Sequence, residues 1–178
     1  MTKLLLVDCD GTIRESASGN KFIQYPKDQQ IIDGAGSALA YYQNQGWTIV
    51  GISNQGGVQA GHKSVKDCLE EQQYTLELCP QIAAIIFCPD YEGETIVDIV
   101  RPMALAFNPD FDHKQTHEQL KGTYRKPNPG MLLLAMAWLG VDKADCLYVG
   151  DMQDDQSAAA AAGINFRWAS YWRNPFLF

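Results

Sequence analysis

The sequence predicts an α/β fold: a central parallel sheet with helices on both faces. Three observations carry this expectation. Short, unbroken apolar runs alternate with helix-like stretches along almost all of the 178 residues, the pattern of strands buried on both faces and joined by crossover helices. Glycines and prolines fall where a strand or helix has to stop. Each polar cluster of chemical interest follows a strand or precedes a helix, and such sheets bind ligands beyond the carboxyl ends of their strands.

Residues 3–7 (KLLLV) form the first strand. Residues 35–45 have the composition of a helix, set between Gly34 and the stop signal Gly46. The second strand, residues 47–52, is rich in β-branched side chains. Ser64 offers an N-cap to a helix over Val65–Leu78, whose apolar Val65, Leu69 and Leu76 are separated by acids. Residues 83–87 are the third strand. Pro129 opens and Gly140 closes a strongly apolar helix over Gly130–Leu139. Residues 146–149 are the fourth strand, 156–162 an alanine-rich helix ended by Gly163, and 164–168 the fifth strand. Residues 88–124, with Pro89, Gly93, Pro102 and Pro109, read as a loop-rich insert within a single domain spanning 1–178. About 20 residues separate the DCDGT motif after the first strand from the helix at 35–45, too few for a large cap domain.

Fourteen Lys and Arg against 21 Asp and Glu leave a net charge of -7, which disfavours non-specific attraction to nucleic acid or to an anionic membrane. No apolar run approaches the roughly 20 residues of a membrane span, and Leu4 to Val7 is too short for the core of a signal peptide. The five cysteines are odd in number and form no CxxC pair; they read as reduced thiols and a cytoplasmic protein.

Four clusters carry chemistry. Asp8-Cys9-Asp10-Gly11-Thr12 follows the first strand; carboxylates two apart at a strand end suit a nucleophile and an acid/base in differing environments, and the same residues also suit a polar turn. Ser53-Asn54-Gln55-Gly56-Gly57 follows the second strand and offers neutral donors to an anion. Gly150-Asp151-Met152-Gln153-Asp154-Asp155 follows the fourth strand; its acids suit a hard divalent cation, above all Mg²⁺, while Asp154 and Asp155 also fit an acidic helix N-terminus. Arg125-Lys126-Pro127-Asn128-Pro129 precedes an apolar helix and supplies positive charge for a phosphate dianion, or else a surface charge pair. Jointly the four make a phosphoryl site.

Taken together, DCDGT, Ser53, Lys126 and GDMQDD with Ala159, Ala162 and Gly163 resemble the four motifs of the haloacid dehalogenase superfamily. Ser53-Asn54-Gln55-Gly56-Gly57-Val58 with Gly61, and Arg125-Lys126-Pro127-Asn128-Pro129-Gly130-Met131, resemble its branch of histidinol, heptose bisphosphate and polynucleotide 3′-phosphatases. The resemblance implies a Rossmann-like three-layer core with a minimal cap, Mg²⁺ and an aspartyl-phosphate intermediate. It implies Asp8 as nucleophile and Asp10 as acid and base. Asp8, Asp151 and the Asp10 carbonyl would hold the metal, with Asp155 ordering its water shell. Ser53, Asn54 and Lys126 would hold the phosphoryl group, and Arg125 would touch substrate.

The sequence departs from that branch in two places. Cys9 stands where many sugar-phosphatase relatives carry a basic residue, and Cys88-Pro89-Asp90 replaces the start of their zinc loop, with no cysteine between 89 and 145. His113 and His117, spaced for a helix face, are the remaining partners available to Cys88 for zinc, which is not expected here. The aromatic tail, Trp168 to Trp172 with Phe176 and Phe178, reads as cover for a core edge, as a dimer contact or as a stacking surface for substrate. The substrate expected is a small phosphorylated metabolite such as a sugar or polyol phosphate; the alternatives are a nucleic-acid 3′ end and a phosphate-binding protein without turnover.

Overall fold

The computed structural model describes residues 2–102 and 104–174. In chain order its elements are β1 (Lys3–Asp8), β2 (Arg14–Glu15), β3 (Gln30–Ile31), α1 (Ala35–Asn44), β4 (Trp47–Asn54), α2 (Val65–Leu78), β5 (Ala84–Cys88), β6 (Val97–Val100), α3 (His113–Leu120), α4 (Gly130–Leu139), β7 (Cys146–Gly150), α5 (Gln153–Ala162), β8 (Asn165–Trp168) and α6 (Ala169–Trp172). The main sheet runs β6-β5-β4-β1-β7-β8. Its pairings are parallel except that of β6 with β5, which is antiparallel.

β1 shows why three layers form. It lies between β4 and β7, and both of its faces are apolar. Leu4 and Leu6 pack with α4 and α5 through Met131, Leu132, Ala135, Ala158 and Ala162. Leu5 and Val7 pack on the other side with Ala38, Leu39 and Tyr42 of α1, Leu76 of α2 and Trp172 of α6. Alternation along a strand sends successive side chains to opposite faces, so one continuous apolar run supplies both cores.

Local signals placed most boundaries. Ser64 caps α2 as expected: its Oγ accepts the Asp67 N–H at 3.0 Å, and the Asp67 carboxylate accepts the Ser64 N–H at 3.1 Å. Gly140 and Gly163, both left-handed, end α4 and α5. The five expected strands are all present, with ends displaced by one or two residues.

The insert at residues 88–124 also contains β6 and α3, which the sequence did not announce. β6 adds an antiparallel edge, with Ala84 opposite Val100 and Phe87 opposite Val97. Its run of four residues is short, interrupted by Asp98 and set in a stretch punctuated by Pro89, Gly93 and Pro102, so it does not read as a strand. α3 buries none of its residues and therefore has no apolar stripe; Asp112 caps it by accepting the Gln115 N–H at 2.9 Å. Between β1 and α1 only the antiparallel pair β2–β3 is interposed, and no helix among the described residues is long and apolar enough to cross a membrane.

The aromatic tail covers a core edge. Trp172 is wholly buried beside Tyr42, their ring centroids 6.5 Å apart, whereas Tyr171 is exposed. Phe176 and Phe178 lie outside the described residues. Trp172→Ala is expected to cost about 3–5 kcal/mol of stability in urea unfolding, and Tyr171→Ala no more than about 0.5 kcal/mol. Equal effects of the two would show that α6 is not part of the core.

Candidate active site

Three neighbouring parallel strands, β4, β1 and β7, end side by side. They bring Asp8, Ser53, Asn54 and Asp151 to one edge, and the segment before α4 adds Lys126. A cleft of about 150 Å³ is lined by these residues together with Asp10, Met152, Asp154 and Asp155. A larger cavity, about 610 Å³, lies between α3 and α4 and is lined by none of the expected site residues.

At the bottom of the cleft sits a buried ion cluster. Lys126 Nζ is 2.6 Å from Asp8 Oδ1, 2.6 Å from Asp155 Oδ1 and 3.1 Å from the Tyr148 hydroxyl. Tyr148 in turn donates to Asp155 Oδ1 at 2.7 Å. Asp155 Oδ2 accepts the N–H groups of Asp151 and Met152 at 3.2 and 3.0 Å, closing the start of α5. Burial pushes Asp8 up to about 7 against the pull of Lys126. Burial also opposes the charge on Lys126, but Asp8, Tyr148 and Asp155 outweigh it and hold the ammonium well above its ordinary value. Asp151 is raised by burial and by Asp155.

Two glycines let these groups close up. Gly150 ends β7, and a Cβ there would lie 2.4 Å from the Asp155 Cβ. Gly11 has φ +85°, and a Cβ there would lie 2.4 Å from Asp151 Oδ2. Next to it, Thr12 Oγ1 reaches Asp151 Oδ1 at 3.4 Å.

The residues fit a hard divalent cation. Asp8, Asp151 and Asp155 each offer a carboxylate oxygen within 4.8 Å of the others, and Asp8 Oδ2 is buried without a hydrogen-bond partner. A buried carboxylate oxygen left unpaired beside two further acids favours a bound cation, and an all-oxygen donor set suits Mg²⁺. The Asp10 carboxylate belongs to a different set. It accepts from Arg14 Nε at 3.0 Å, from Ser53 Oγ at 3.2 Å and from Gln55 Nε2 at 2.8 Å. Burial raises Asp10, but the Arg14 guanidinium overrides it and holds the carboxyl below its ordinary range.

Two residues expected to contact phosphate or substrate, Asn54 and Arg125, also have partners within the protein. Asn54 lines the cleft, yet its amide grips the Lys126 backbone at both ends, donating to the carbonyl and accepting the N–H at 3.0 Å each. The pairing holds Lys126 in position and uses one of the two N–H donors of the Asn54 amide. Arg125 lies outside the cleft lining, its guanidinium carbon 4.8 Å from the centroid of the Tyr91 ring and its Nη1 on the Asp90 carbonyl. Cys88, His113 and His117 are not brought together as ligands: Cys88 Sγ faces Asp90, while His117 Nδ1 pairs with the Tyr124 hydroxyl at 2.7 Å. Asp90 itself ties the loop, accepting the N–H groups of Gly93, Glu94 and Thr95 at 2.6, 3.0 and 2.7 Å. Sequence reasoning missed Tyr148 and Arg14: the first is one apolar-looking residue in a buried strand, and the second stands alone beyond DCDGT without any spacing that marks it.

The sequence model of the family described as polynucleotide kinase 3 phosphatase matches residues 3–167. The D-glycero-beta-D-manno-heptose-1,7-bisphosphate 7-phosphatase of Haemophilus ducreyi is 29% identical over 163 residues, covering 91% of this chain and 79% of that protein. Its counterpart from Vibrio cholerae is 26% identical over 164 residues, 90% of this chain and 76% of that one. Among solved structures, D,D-heptose 1,7-bisphosphate phosphatase from B. bronchiseptica, complexed with magnesium and phosphate, is similar with a TM-score of 0.66 at 25% identity, over 93% of this chain and 79% of that chain. A HAD-superfamily hydrolase from Ehrlichia chaffeensis, 14% identical with a TM-score of 0.53 over 94% and 92% of the two chains, shares the fold. The family match takes in all of the sheet but its last residue and every strand end around the cleft, and the chain belongs to the polynucleotide kinase 3 phosphatase family of haloacid dehalogenase-type phosphatases.

Proposed function

We propose that this phosphatase is a Mg²⁺-dependent phosphomonoesterase that acts on a small sugar or polyol phosphate through an aspartyl-phosphate on Asp8. The observation that carries the reading is the buried Lys126 ammonium held between Asp8 and Asp155, beside an Asp8 oxygen without a partner. A carboxylate buried against a fixed cation is a poor structural ornament and a good nucleophile site, because the cation is in place where charge gathers on the phosphoryl oxygens.

In this reading an Asp8 carboxylate oxygen attacks phosphorus and the ester P–O bond breaks. Asp10 gives its proton to the departing alkoxide, then takes one from the water that cleaves the acyl phosphate, releasing inorganic phosphate and restoring Asp8. The approaching phosphate raises the proton affinity of Asp10, offsetting Arg14 when the acid form is needed. Lys126 and the Ser53 hydroxyl face the transferring group, and Asn54 serves by fixing Lys126. Asp8, Asp151 and the Asp10 carbonyl would hold Mg²⁺, with Asp155 behind them; the ion supplies charge stabilisation to the phosphoryl oxygens. Arg125, at the rim, would meet the rest of the substrate.

The small substrate is favoured by the net charge of -7, since binding along a nucleic-acid strand uses several phosphate contacts, and by the heptose bisphosphate phosphatases among the relatives. A panel of sugar and polyol phosphates beside 3′- and 5′-phosphorylated oligonucleotides, assayed at two salt concentrations, tests it. Sugar phosphates are expected to be preferred with little salt dependence. A preference for the 3′-phosphorylated oligonucleotide with a steep salt slope would replace the substrate assigned here.

Asp8→Asn is expected to abolish turnover, since an amide forms no acyl phosphate. Asp10→Asn should slow alkyl phosphates by about 10²–10⁴ and activated aryl phosphates far less. Substantial activity in Asp8→Asn, checked for contaminants, would exclude the covalent route.

Metal binding should depend on pH. Without metal, Asp8 keeps its proton to about 7 in the folded chain against an ordinary 3.8. The folded state therefore holds the extra proton between those values, and this group's contribution to stability falls as pH rises through them. Because Mg²⁺ requires the ionised carboxylate, its affinity should rise by up to about tenfold per pH unit below 7 and level off above. Thermal-shift titrations with MgCl₂ at pH 6, 7 and 8 measure this; a pH-independent affinity would show that Asp8 is ionised throughout that range.

A further inference from the structure

We propose that Arg14 is a positioning residue for the reaction, a buried fork that fixes the Asp10 carboxyl in the orientation from which it exchanges protons with the leaving group and with water. The inference rests on the acid–base reading of Asp10 given above.

The Arg14 side chain is 0% exposed, whereas that of Asp10 is 45% exposed. Asp10 is thus anchored from the protein interior and open toward the cleft. The turn makes this possible: the N–H groups of Ile13 and Arg14 both donate to the Cys9 carbonyl at 3.0 Å, and the Gly11 N–H donates to the Arg14 carbonyl at 2.9 Å. The chain therefore doubles back, and Arg14 lies against Asp10 four residues earlier. Nε and Nη2 meet Asp10 Oδ1 and Oδ2 at 3.0 and 3.4 Å, a two-point contact that sets the plane of the carboxylate as well as its place.

The rest of the guanidinium is held just as fully. Nη2 reaches Glu71 Oε1 at 2.9 Å, while Nη1 reaches Gln29 Oε1 at 3.1 Å and the Thr75 hydroxyl. Glu71 pairs with Lys63, which lies 3.3 Å from Gln55 Oε1, and Gln55 Nε2 returns to Asp10 Oδ2 at 2.8 Å. The loop of contacts runs from Asp10 through Arg14, Glu71, Lys63 and Gln55 and closes on Asp10 again, two cations against two anions. Removing a guanidinium from water is costly, and fastening α2 to the turn needs no charge. Two-point placement of an acid that has to stay open to substrate does need one.

The test compares kcat and KM on an alkyl phosphate that the wild-type protein hydrolyses with those on 4-nitrophenyl phosphate. Arg14→Lys keeps the charge and loses the fork. The double variant Arg14→Met with Glu71→Leu removes both buried charges together, so that neither is left unpaired. Thermal unfolding verifies that each variant is folded, and Arg14→Lys decides alone if the double variant is not. Both variants are expected to lower kcat on the alkyl phosphate by roughly 10- to 100-fold, a part of the general-acid factor. Their KM should stay within about twofold and the aryl phosphate rate within about threefold, since an activated leaving group needs little protonation. Equal losses on the two substrates, or a rise in KM alone, would overturn the role of Arg14. Asp10→Asn, run beside them, separates the two levels: if it shows no leaving-group bias, the acid–base reading of Asp10 fails, and the inference with it.

Discussion

The site depends on one buried ammonium. Lys126 Nζ sits 2.6 Å from two carboxylates that would otherwise repel each other across the end of the central strand. Each partner comes from a different element: Asp8 from β1, Asp155 from α5, Tyr148 from β7 and Lys126 from the segment leading into α4. Remove the cation and two acids are left in a dry pocket, a situation proteins tolerate poorly. The surrounding geometry follows from keeping it in place. Asn54 clamps the Lys126 backbone from β4, and Gly150 gives Asp155 the room to reach it.

The order of strands explains why those groups meet. β1 is flanked by β4 and β7 in parallel register, so the three carboxyl ends open on the same side. Both faces of the sheet are filled with aliphatic side chains, which leaves the strand ends as the place where polar groups escape the core. The cleft is thus polar to its floor, and the apolar layers of the sheet lie beneath it. Phosphoryl transfer asks for such an arrangement: charges held in place by packed strands and helices before the substrate arrives.

Two polar systems share the cleft and keep apart. One surrounds Lys126 and the acids suited to a metal; the other runs from Asp10 through Arg14 to α2. Asp8 and Asp10 are two residues apart, yet burial raises the first while Arg14 lowers the second. Neighbouring carboxyls with opposed environments take different roles. The rim is a third region, where Asp90 ties a loop with three backbone N–H groups and Tyr91 lies against Arg125. There a carboxylate, that of Asp90, organises the loop.

The sequence by itself determined whatever short-range physics controls. Apolar runs of strand length, glycine stops and the Ser64 cap placed the five parallel strands and the main helices, because each depends on neighbours a few residues away. Asp8, Asp10, Lys126 and Asp151 were legible as well, since chemistry at strand ends leaves compact motifs. Tertiary structure decided the rest. β6 became an edge strand only because β5 offered it a partner, and α3 had no apolar face to announce it. Asn54 reads as an anion donor, and only the fold shows that its amide also holds the backbone of Lys126, 72 residues away. Arg14 finds Glu71 across 57 residues, and Lys126 finds Asp8 across 118. No local pattern encodes such pairings, because their strength comes from burial that exists only once the sheet has brought distant segments together.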